Sequence, residues 1–158
     1  MLFKAEKKIR FGLGVDLDPE MIRFANEKKG RVKSVKIKFV QANINTLEKL
    51  SEFNIDIAMS TLCLHEMKEA EAVNTLISLA SISTTMLIAD YSIPRSFWGK
   101  ASIELDELIS GYYDRFRRYK KNGYFPYLAN KAGLIISRTI ETPIDGIIVW
   151  KLDTKNIE

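Results

Sequence analysis

Residues 14–25 of the chain read GVDLDPEMIRFA, and this stretch decides the fold. Asp16 closes an apolar run that predicts a strand over residues 9–16. The triplet Asp-Pro-Glu at 18–20 then combines a side-chain cap, a proline suited to the first helical position and an acid near the positive helix end. We therefore expect a helix that runs to about residue 29, with Gly30 just past its end.

Apolar runs rich in β-branched residues predict six strands in all. They lie at residues 9–16, 36–41, 55–62, 86–91, 134–140 and 146–152. The first four alternate with helical patterns, the second of them over 67–81, which predicts right-handed crossovers and a parallel sheet. Only a short turn joins the last two strands, so they should pair antiparallel. We expect one α/β domain over residues 1–158, mostly parallel, with an antiparallel hairpin at its C-terminal end.

A third helix shows the strongest apolar periodicity in the chain. The residues of its predicted face recur at helical spacing: Leu105, Leu108, Ile109, Tyr112, Phe116 and Tyr119. A continuous face of this kind predicts a single long helix. Asn122-Gly123 should end it, and a shorter helix should follow, running through Leu128 to Gly133.

The composition excludes several classes of protein. A hydrophobic fraction of 46% and a charged fraction of 28% are ordinary for a soluble globular chain of 158 residues, and no apolar run reaches the ~20 residues of a membrane span. The single cysteine, Cys63, rules out an intrachain disulfide and a cysteine-only metal site, which favours the cytoplasm. We predict no metal. The net charge of +4 is explained by solvated helix ends and loops, and nucleic acid stays an open but unsupported partner.

Candidate binding residues follow three of the predicted strands, because open α/β sheets bind ligands at the carboxyl ends of their strands. Asp16 closes the first strand, where a carboxylate can accept both hydroxyls of a ribose, and Leu17 can pack on an adenine ring. Asn43 and the backbone of Ile44 follow the second strand and can bond the adenine edge. Thr61 ends the third, where a small polar residue leaves room for a ligand.

Four motifs in the correct order and spacing carry a resemblance to a known family, and a fifth, C-terminal stretch resembles a subset of its archaeal and bacterial members. They are GVDLDPEMIRFA at 14–25, FVQANINTL at 39–47, IDIAMSTLCLHEM at 55–67, LIADYSIP at 87–94 and YYDRFRRYKKNGYFPYLANKAGL at 112–134. With them the chain resembles the class I S-adenosylmethionine-dependent methyltransferases of the type 11, ubiquinone/menaquinone-biosynthesis kind, over nearly its whole length from residue 9. The resemblance implies a Rossmann-like methyltransferase fold and S-adenosylmethionine as the cofactor.

The same resemblance assigns roles to the candidate residues. It implies that Asp16 holds the ribose hydroxyls, that Asn43 with Ile44 meets the adenine, and that Thr61 lies beside the methionine portion. Asn43 stands where the family usually has aspartate. An amide oxygen still accepts a hydrogen bond from the adenine amino group, so we expect weaker but not absent binding.

The resemblance also implies that the family's first strand and its glycine-rich turn would precede residue 1, so that the chain is N-terminally truncated. That strand is normally flanked by the strands at 9–16 and 55–62. Its loss would leave unpaired backbone groups, at roughly 1–3 kcal/mol each. Three outcomes are open: the gene product starts further upstream, another chain fills the gap, or the two flanking strands close on each other.

The leading functional hypothesis is methyl transfer from S-adenosylmethionine to a small-molecule acceptor. Transfer from a sulfonium is an in-line displacement that depends on alignment, so no catalytic residue is obligatory. We assign none, and keep His65, the single histidine, as a candidate general base. Tyr112, Arg115 and Tyr119 are the candidates for contacting the acceptor.

Two alternatives stay open. The first is a catalytically impaired remnant that acts as a binding or dimerisation module, and an unpaired sheet edge favours such a homodimer. The second is an RNA methyltransferase, suggested by the basic clusters of the chain.

Overall fold

The computed structural model of the chain describes residues 6–32, 34, 36–43 and 55–154. Its contacts divide the chain into two compact units, Met1–Lys49 and Leu50–Glu158. The predicted alternation of strands and helices is present in both units, so the α/β class is confirmed.

The first unit is a βαβ unit. It contains a short 3-10 turn (Glu6–Lys8), strand β1 (Gly12–Asp16), helix α1 (Pro19–Val32) and strand β2 (Ile37–Gln41). The two strands pair in parallel over their full lengths. Helix α1 begins as predicted, because the Oδ1 atom of Asp18 accepts the backbone N–H of Glu20 at 2.8 Å.

The predicted end of α1 is wrong. The helix continues through Gly30 to Val32. An added Cβ at Gly30 would meet no atom within 4 Å, and the residue does not adopt the left-handed conformation of a helix-ending glycine. Glycine inside a helix costs about 1 kcal/mol relative to alanine, so it does not by itself end a helix.

The second unit carries the larger sheet. Its elements are β3 (Ile55–Thr61), a 3-10 turn (Leu64–Glu66), α2 (Glu69–Ile82), β4 (Ser83–Tyr91), α3 (Phe97–Ser110), α4 (Tyr113–Asn122), α5 (Tyr124–Lys131), β5 (Ile136–Glu141) and β6 (Ile147–Asp153). The strand order is β3-β4-β6-β5. Strands β3 and β4 are parallel, whereas β6 runs antiparallel to both β4 and β5. The predicted C-terminal antiparallel hairpin is confirmed.

The core of the second unit surrounds β4. Met86 and Ile88 of this strand are fully buried. The strand is central in its sheet, because β3 and β6 are hydrogen-bonded to it on opposite sides. Phe125 of α5 packs against Trp150 of β6 with ring centroids 4.9 Å apart. Burial of aromatic side chains of this size contributes a large share of the hydrophobic stabilisation.

The single long helix predicted over the stripe from 105 to 119 is wrong. Gly111, with φ 82°, ends α3, and a new helix begins at Tyr113. Leu108 and Ile109 are 63% and 78% exposed, whereas Phe116 on α4 is buried. The apolar spacing is continuous in sequence, but a left-handed glycine redirects the chain, so each helix selects its own buried face.

Strands β1 and β3 each have one hydrogen-bonded neighbour in the part of the chain that the structure describes. They are the two strands that the resemblance places beside the family's first strand. Ile57 and Met59 of β3 are exposed. No helix among the described residues combines the length and the apolar character needed to cross a bilayer.

Candidate functional site

The turns that follow β1 and β2 lie side by side. The last residues of the two strands, Asp16 and Gln41, are paired, and the backbone carbonyl of Asp16 accepts the N–H of Ala42 at 3.0 Å. The side-chain amide of Gln41 donates to the carbonyl of Leu17 at 3.1 Å. These two hydrogen bonds hold the turn that carries Asp16 against the turn that carries Asn43.

The Asp16 side chain is exposed at this edge. Its Oδ1 atom accepts the backbone N–H of Asp18 at 2.9 Å, which fixes the orientation of the carboxylate. A carboxylate offers about four acceptor positions, so this bond leaves capacity for ligand hydroxyls. Leu17 is 55% exposed, and Asn43 is half-buried. The structure thus brings Asp16, Leu17 and Asn43 to one edge of the small sheet.

The other predicted cofactor residues are placed separately. Ile44 lies outside the described residues. Thr61 is the last residue of β3 in the second unit, where it pairs with Ala89 of β4. Both assignments stay predictions.

His65 occupies the centre of a buried polar cluster that we call the histidine cluster: His65, Asp90 and Glu107. The imidazole Nδ1 lies 2.5 Å from Oδ1 of Asp90, and Nε2 lies 3.1 Å from Oε1 of Glu107. The three side chains are 2%, 0% and 2% exposed, respectively. When protonated, an imidazole placed between two carboxylates in this way compensates for part of the cost of burying them.

Each member of the histidine cluster fixes a different element. Asp90, near the end of β4, accepts the backbone N–H of Leu64 at 3.0 Å through Oδ2 and that of Tyr91 at 2.8 Å through Oδ1. Glu107 reaches in from α3, and its Oε2 atom has no hydrogen-bond partner among the described residues. The cluster therefore ties the 3-10 turn, β4 and α3 to one another.

Electrostatics in the cluster favour the protonated form of His65. Burial lowers the pKa of His65, but the hydrogen bond and charge of Asp90 and the charge of Glu107 outweigh it, so the net pKa is raised. Burial raises the pKa of Glu107, and the charge of His65 opposes that shift. The Tyr91 ring lies beside the imidazole, with ring centroids 4.6 Å apart and the ring planes tilted by 46°. This aromatic wall keeps the surroundings of the cluster apolar.

The contacts of His65 with Asp90 and Glu107 bear on its candidacy as a general base. A general base must come within hydrogen-bond reach of the proton that it abstracts. Both nitrogens of His65 already face carboxylates, and the side chain is almost fully buried. We therefore interpret His65 as a residue that positions the 3-10 turn, and a catalytic role stays an untested prediction.

The three predicted acceptor residues surround two neighbouring cavities. Arg115 lines both of them, and its Nη1 atom donates to the carbonyl of Glu66 at 2.7 Å. Tyr112 lines the more open cavity, with the guanidinium of Arg115 5.2 Å from its ring centroid. Tyr119 lines the narrower one and donates its hydroxyl to the carbonyl of Tyr91 at 3.1 Å.

Sequence reasoning missed three residues of these sites, which are Asp90, Glu107 and Lys68. Asp90 had a signal, an acid at the end of an otherwise apolar strand, and Glu107 follows the buried Ile103 at helical spacing on α3. Lys68 and Arg118 also line both cavities. Their basic character was visible in the sequence, but nothing in it indicated that they meet.

Comparisons with known proteins agree with this architecture. Residues 4–78 match a family model described as a methyltransferase domain. No curated protein sequence matches the chain.

Many solved structures share the fold. A SAM-dependent methyltransferase from Aquifex aeolicus is 15% identical, with a TM-score of 0.66 over 97% of this chain and 75% of its own. An O-methyltransferase family protein from Burkholderia thailandensis is 16% identical, with a TM-score of 0.66 over 94% of this chain and 45% of its own. An O-methyltransferase from neocarzinostatin biosynthesis, solved with S-adenosylmethionine and 2-hydroxy-5-methyl naphthoic acid, is 15% identical, with a TM-score of 0.65 over 97% of this chain and 44% of its own. The chain thus spans less than half the length of the last two.

Proposed function

We propose that this chain is a class I S-adenosylmethionine-dependent methyltransferase and that it transfers a methyl group from this cofactor to a small-molecule acceptor. The observation that carries the proposal is the hydrogen-bonded pair of turns after β1 and β2, which presents an exposed carboxylate beside an amide and an apolar side chain. That donor and acceptor set fits an adenosine.

The cofactor contacts are assigned residue by residue. Asp16 accepts hydrogen bonds from the ribose hydroxyls, because its carboxylate is exposed and its orientation is already fixed by the hydrogen bond from the Asp18 N–H. Leu17 packs on one face of the adenine, and Asn43 accepts from its amino group, with Ile44 as the predicted backbone partner. Thr61, at the end of β3, is assigned to the methionine portion. When bound, S-adenosylmethionine supplies an electrophilic methyl group on a sulfonium.

The acceptor is assigned to the cavities bordered by Tyr112, Arg115 and Tyr119. In an in-line displacement the protein contributes alignment and exclusion of water, each of which a cavity wall provides. The aromatic rings supply apolar surface, and the guanidinium supplies a directional donor. No acid is needed for a sulfonium leaving group.

Two further assignments belong to this proposal. A single half-buried cysteine, Cys63, fits a cytoplasmic protein. Strands β1 and β3, each with one neighbour among the described residues, favour association of two copies. Light scattering at increasing protein concentration tests the homodimer, and a monomer at every concentration would exclude it.

Calorimetry with S-adenosylhomocysteine on the 158-residue chain tests cofactor binding. We expect saturable heat from the unmodified chain and roughly ten- to hundredfold weaker binding by Asp16→Ala, because a hydrogen bond to a charged group contributes about 1.5–3 kcal/mol. The control is Asp56→Ala, which removes another exposed acid. No heat and no thermal shift from the unmodified chain would favour the binding or dimerisation remnant over the enzyme.

A further inference from the structure

A strongly basic cavity lies between the start of α2 and the start of α4. It has a volume of about 350 Å³. Its lining residues are Lys68, Gly111, Tyr112, Asp114, Arg115 and Arg118. Lys68 directly precedes α2, and Arg115 and Arg118 are three residues apart on α4, so both guanidinium groups lie on the same side of that helix.

The positive charge of this cavity is poorly compensated. In the part of the chain that the structure describes, none of Lys68, Arg115 and Arg118 forms an ion pair. The one carboxylate in the lining belongs to Asp114, whose backbone carbonyl accepts the Nε of Arg118 at a long 3.5 Å. Glu66 lies near enough to Arg115 for their charges to interact, and burial raises the pKa of the Glu66 carboxyl.

The start of α2 adds to the same field. This helix has 14 residues, and Lys68 at its N-cap position makes no side-chain cap hydrogen bond. The N-terminus of a helix carries roughly half a positive charge, concentrated on its first backbone N–H groups. Helix polarity and three cationic side chains therefore act on one region of the surface.

A narrower, more apolar cavity adjoins the basic one. It has a volume of about 100 Å³ and shares Lys68, Arg115 and Arg118 with its neighbour. The apolar part of its wall comes from Leu64, Met67, Ala72, Tyr119 and Leu128. This volume is below the ~150 Å³ of an engineered cavity that holds benzene, so it accommodates a short apolar group or part of a ring. The acid in its wall, Glu69, is paired with Lys131 at 2.6 Å.

We propose that Lys68, Arg115 and Arg118 bind the carboxylate or phosphate group of the methyl acceptor, and that the apolar part of this acceptor enters the narrow cavity. Arginine suits this role, because its planar fork bonds both oxygens of such an anion. The identification of the anion as the methyl acceptor rests on the proposed function. The anion site itself needs no cofactor.

The test titrates the full chain with benzoate and with phenyl phosphate, followed by calorimetry and by NMR chemical shifts. The two probes distinguish a carboxylate from a phosphate ligand, and at least one should bind, more weakly as the salt concentration rises. Lys68→Gln and Arg118→Gln should each weaken binding about tenfold, since each removes a charge-assisted hydrogen bond. Arg115 is left unchanged, because it also donates to the Glu66 carbonyl.

Lys121→Gln is the matched control, since Lys121 is exposed on the same helix but lines neither cavity. The proposal fails if Lys121→Gln weakens binding as much as the two site variants do, if neutral benzyl alcohol binds as tightly as the anions, or if neither anion binds. Inorganic phosphate that binds as tightly as phenyl phosphate would overturn the role of the narrow cavity.

S-adenosylhomocysteine is titrated into the same samples. Anion binding without any response to this compound would support the anion site and overturn the proposed methyl transfer. Cofactor binding without anion binding would support the proposed methyl transfer and overturn the anion site.

Discussion

Replacing His65 with glutamine should destabilise the second unit strongly. The substitution removes the one cation between Asp90 and Glu107, both of which are buried. A glutamine amide can donate to one of the two carboxylates but carries no charge. Removing one partner of a buried ion pair costs about 3–5 kcal/mol, because it leaves an uncompensated charge in the interior.

The assay is urea unfolding at pH 6, below the ordinary imidazole pKa of 6.5, where the raised pKa of His65 keeps it protonated; tryptophan fluorescence, to which the buried Trp150 contributes, follows the transition. The control is Asp106→Asn, which changes a more exposed carboxylate that accepts the Tyr91 hydroxyl at 2.8 Å. The asparagine oxygen can still accept the Tyr91 hydroxyl, so the substitution removes only the charge of this hydrogen bond and should cost about 1 kcal/mol. Equal losses from the two substitutions, or a loss below 1 kcal/mol for His65→Gln, would refute the account of the cluster.

The pH dependence follows from the direction of the pKa shift. The pKa of His65 is raised in the folded state above its ordinary value of 6.5. Its stabilising contribution is therefore fully present below pH 6.5 and is lost as the pH rises through the folded-state pKa. Unfolding free energies of the unmodified chain should fall between neutral and alkaline pH. The His65→Gln variant should lack this part of the decline, and identical slopes would contradict the assignment.

Two further predictions concern the turn before β6. Gly146→Ala should destabilise the chain by roughly 2–4 kcal/mol in thermal unfolding, because φ is +79° and the new Cβ would lie 2.5 Å from Cδ1 of Ile103. Gly133→Ala, where φ is +70° but no atom lies within 4 Å, should cost only about 1–2 kcal/mol, and equal effects would remove the steric argument. Asp145→Asn should lower the melting temperature at pH 7 but not near pH 2. The hydrogen bond from Ser96 and the backbone N–H of residue 95 lower the pKa of Asp145 to about 2 from 3.8, so its contribution is present above pH 3.8 and is lost as the pH falls towards 2. If Asp145→Asn also lowers the melting temperature near pH 2, the stabilising role of the Asp145 carboxylate is contradicted.

Local signals account for what could be predicted of the fold. The six strands lie close to their expected positions, because short runs of β-branched and apolar residues fit the pleated, half-buried surface of a sheet. The start of α1 was predictable for a similar reason, since Asp18 caps a helix only two residues away. The division between α3 and α4 was not, because the apolar spacing continues across Gly111 and one glycine does not reveal its φ angle in sequence.

In the candidate site, too, some residues were predictable from the sequence and others were found only in the structure. Asp16 and Asn43 were expected at one edge, because parallel neighbouring strands end at the same side of a sheet. The structure places them there. Their roles as cofactor ligands stay predictions. The acceptor residues Tyr112 and Arg115 were identified by type alone, and the tertiary structure added Lys68 to them.

Amino-acid order by itself determined the α/β class, the parallel β1–α1–β2 unit and the antiparallel end of the sheet, because caps, turns and strand periodicity act over a few residues. The tertiary structure alone decided the charged interior. Asp90 lies 25 positions from His65, and Glu107 arrives on a different helix. Whether two such acids share one imidazole depends on how packed elements cross, and that is settled by burial and side-chain volume rather than by any local pattern.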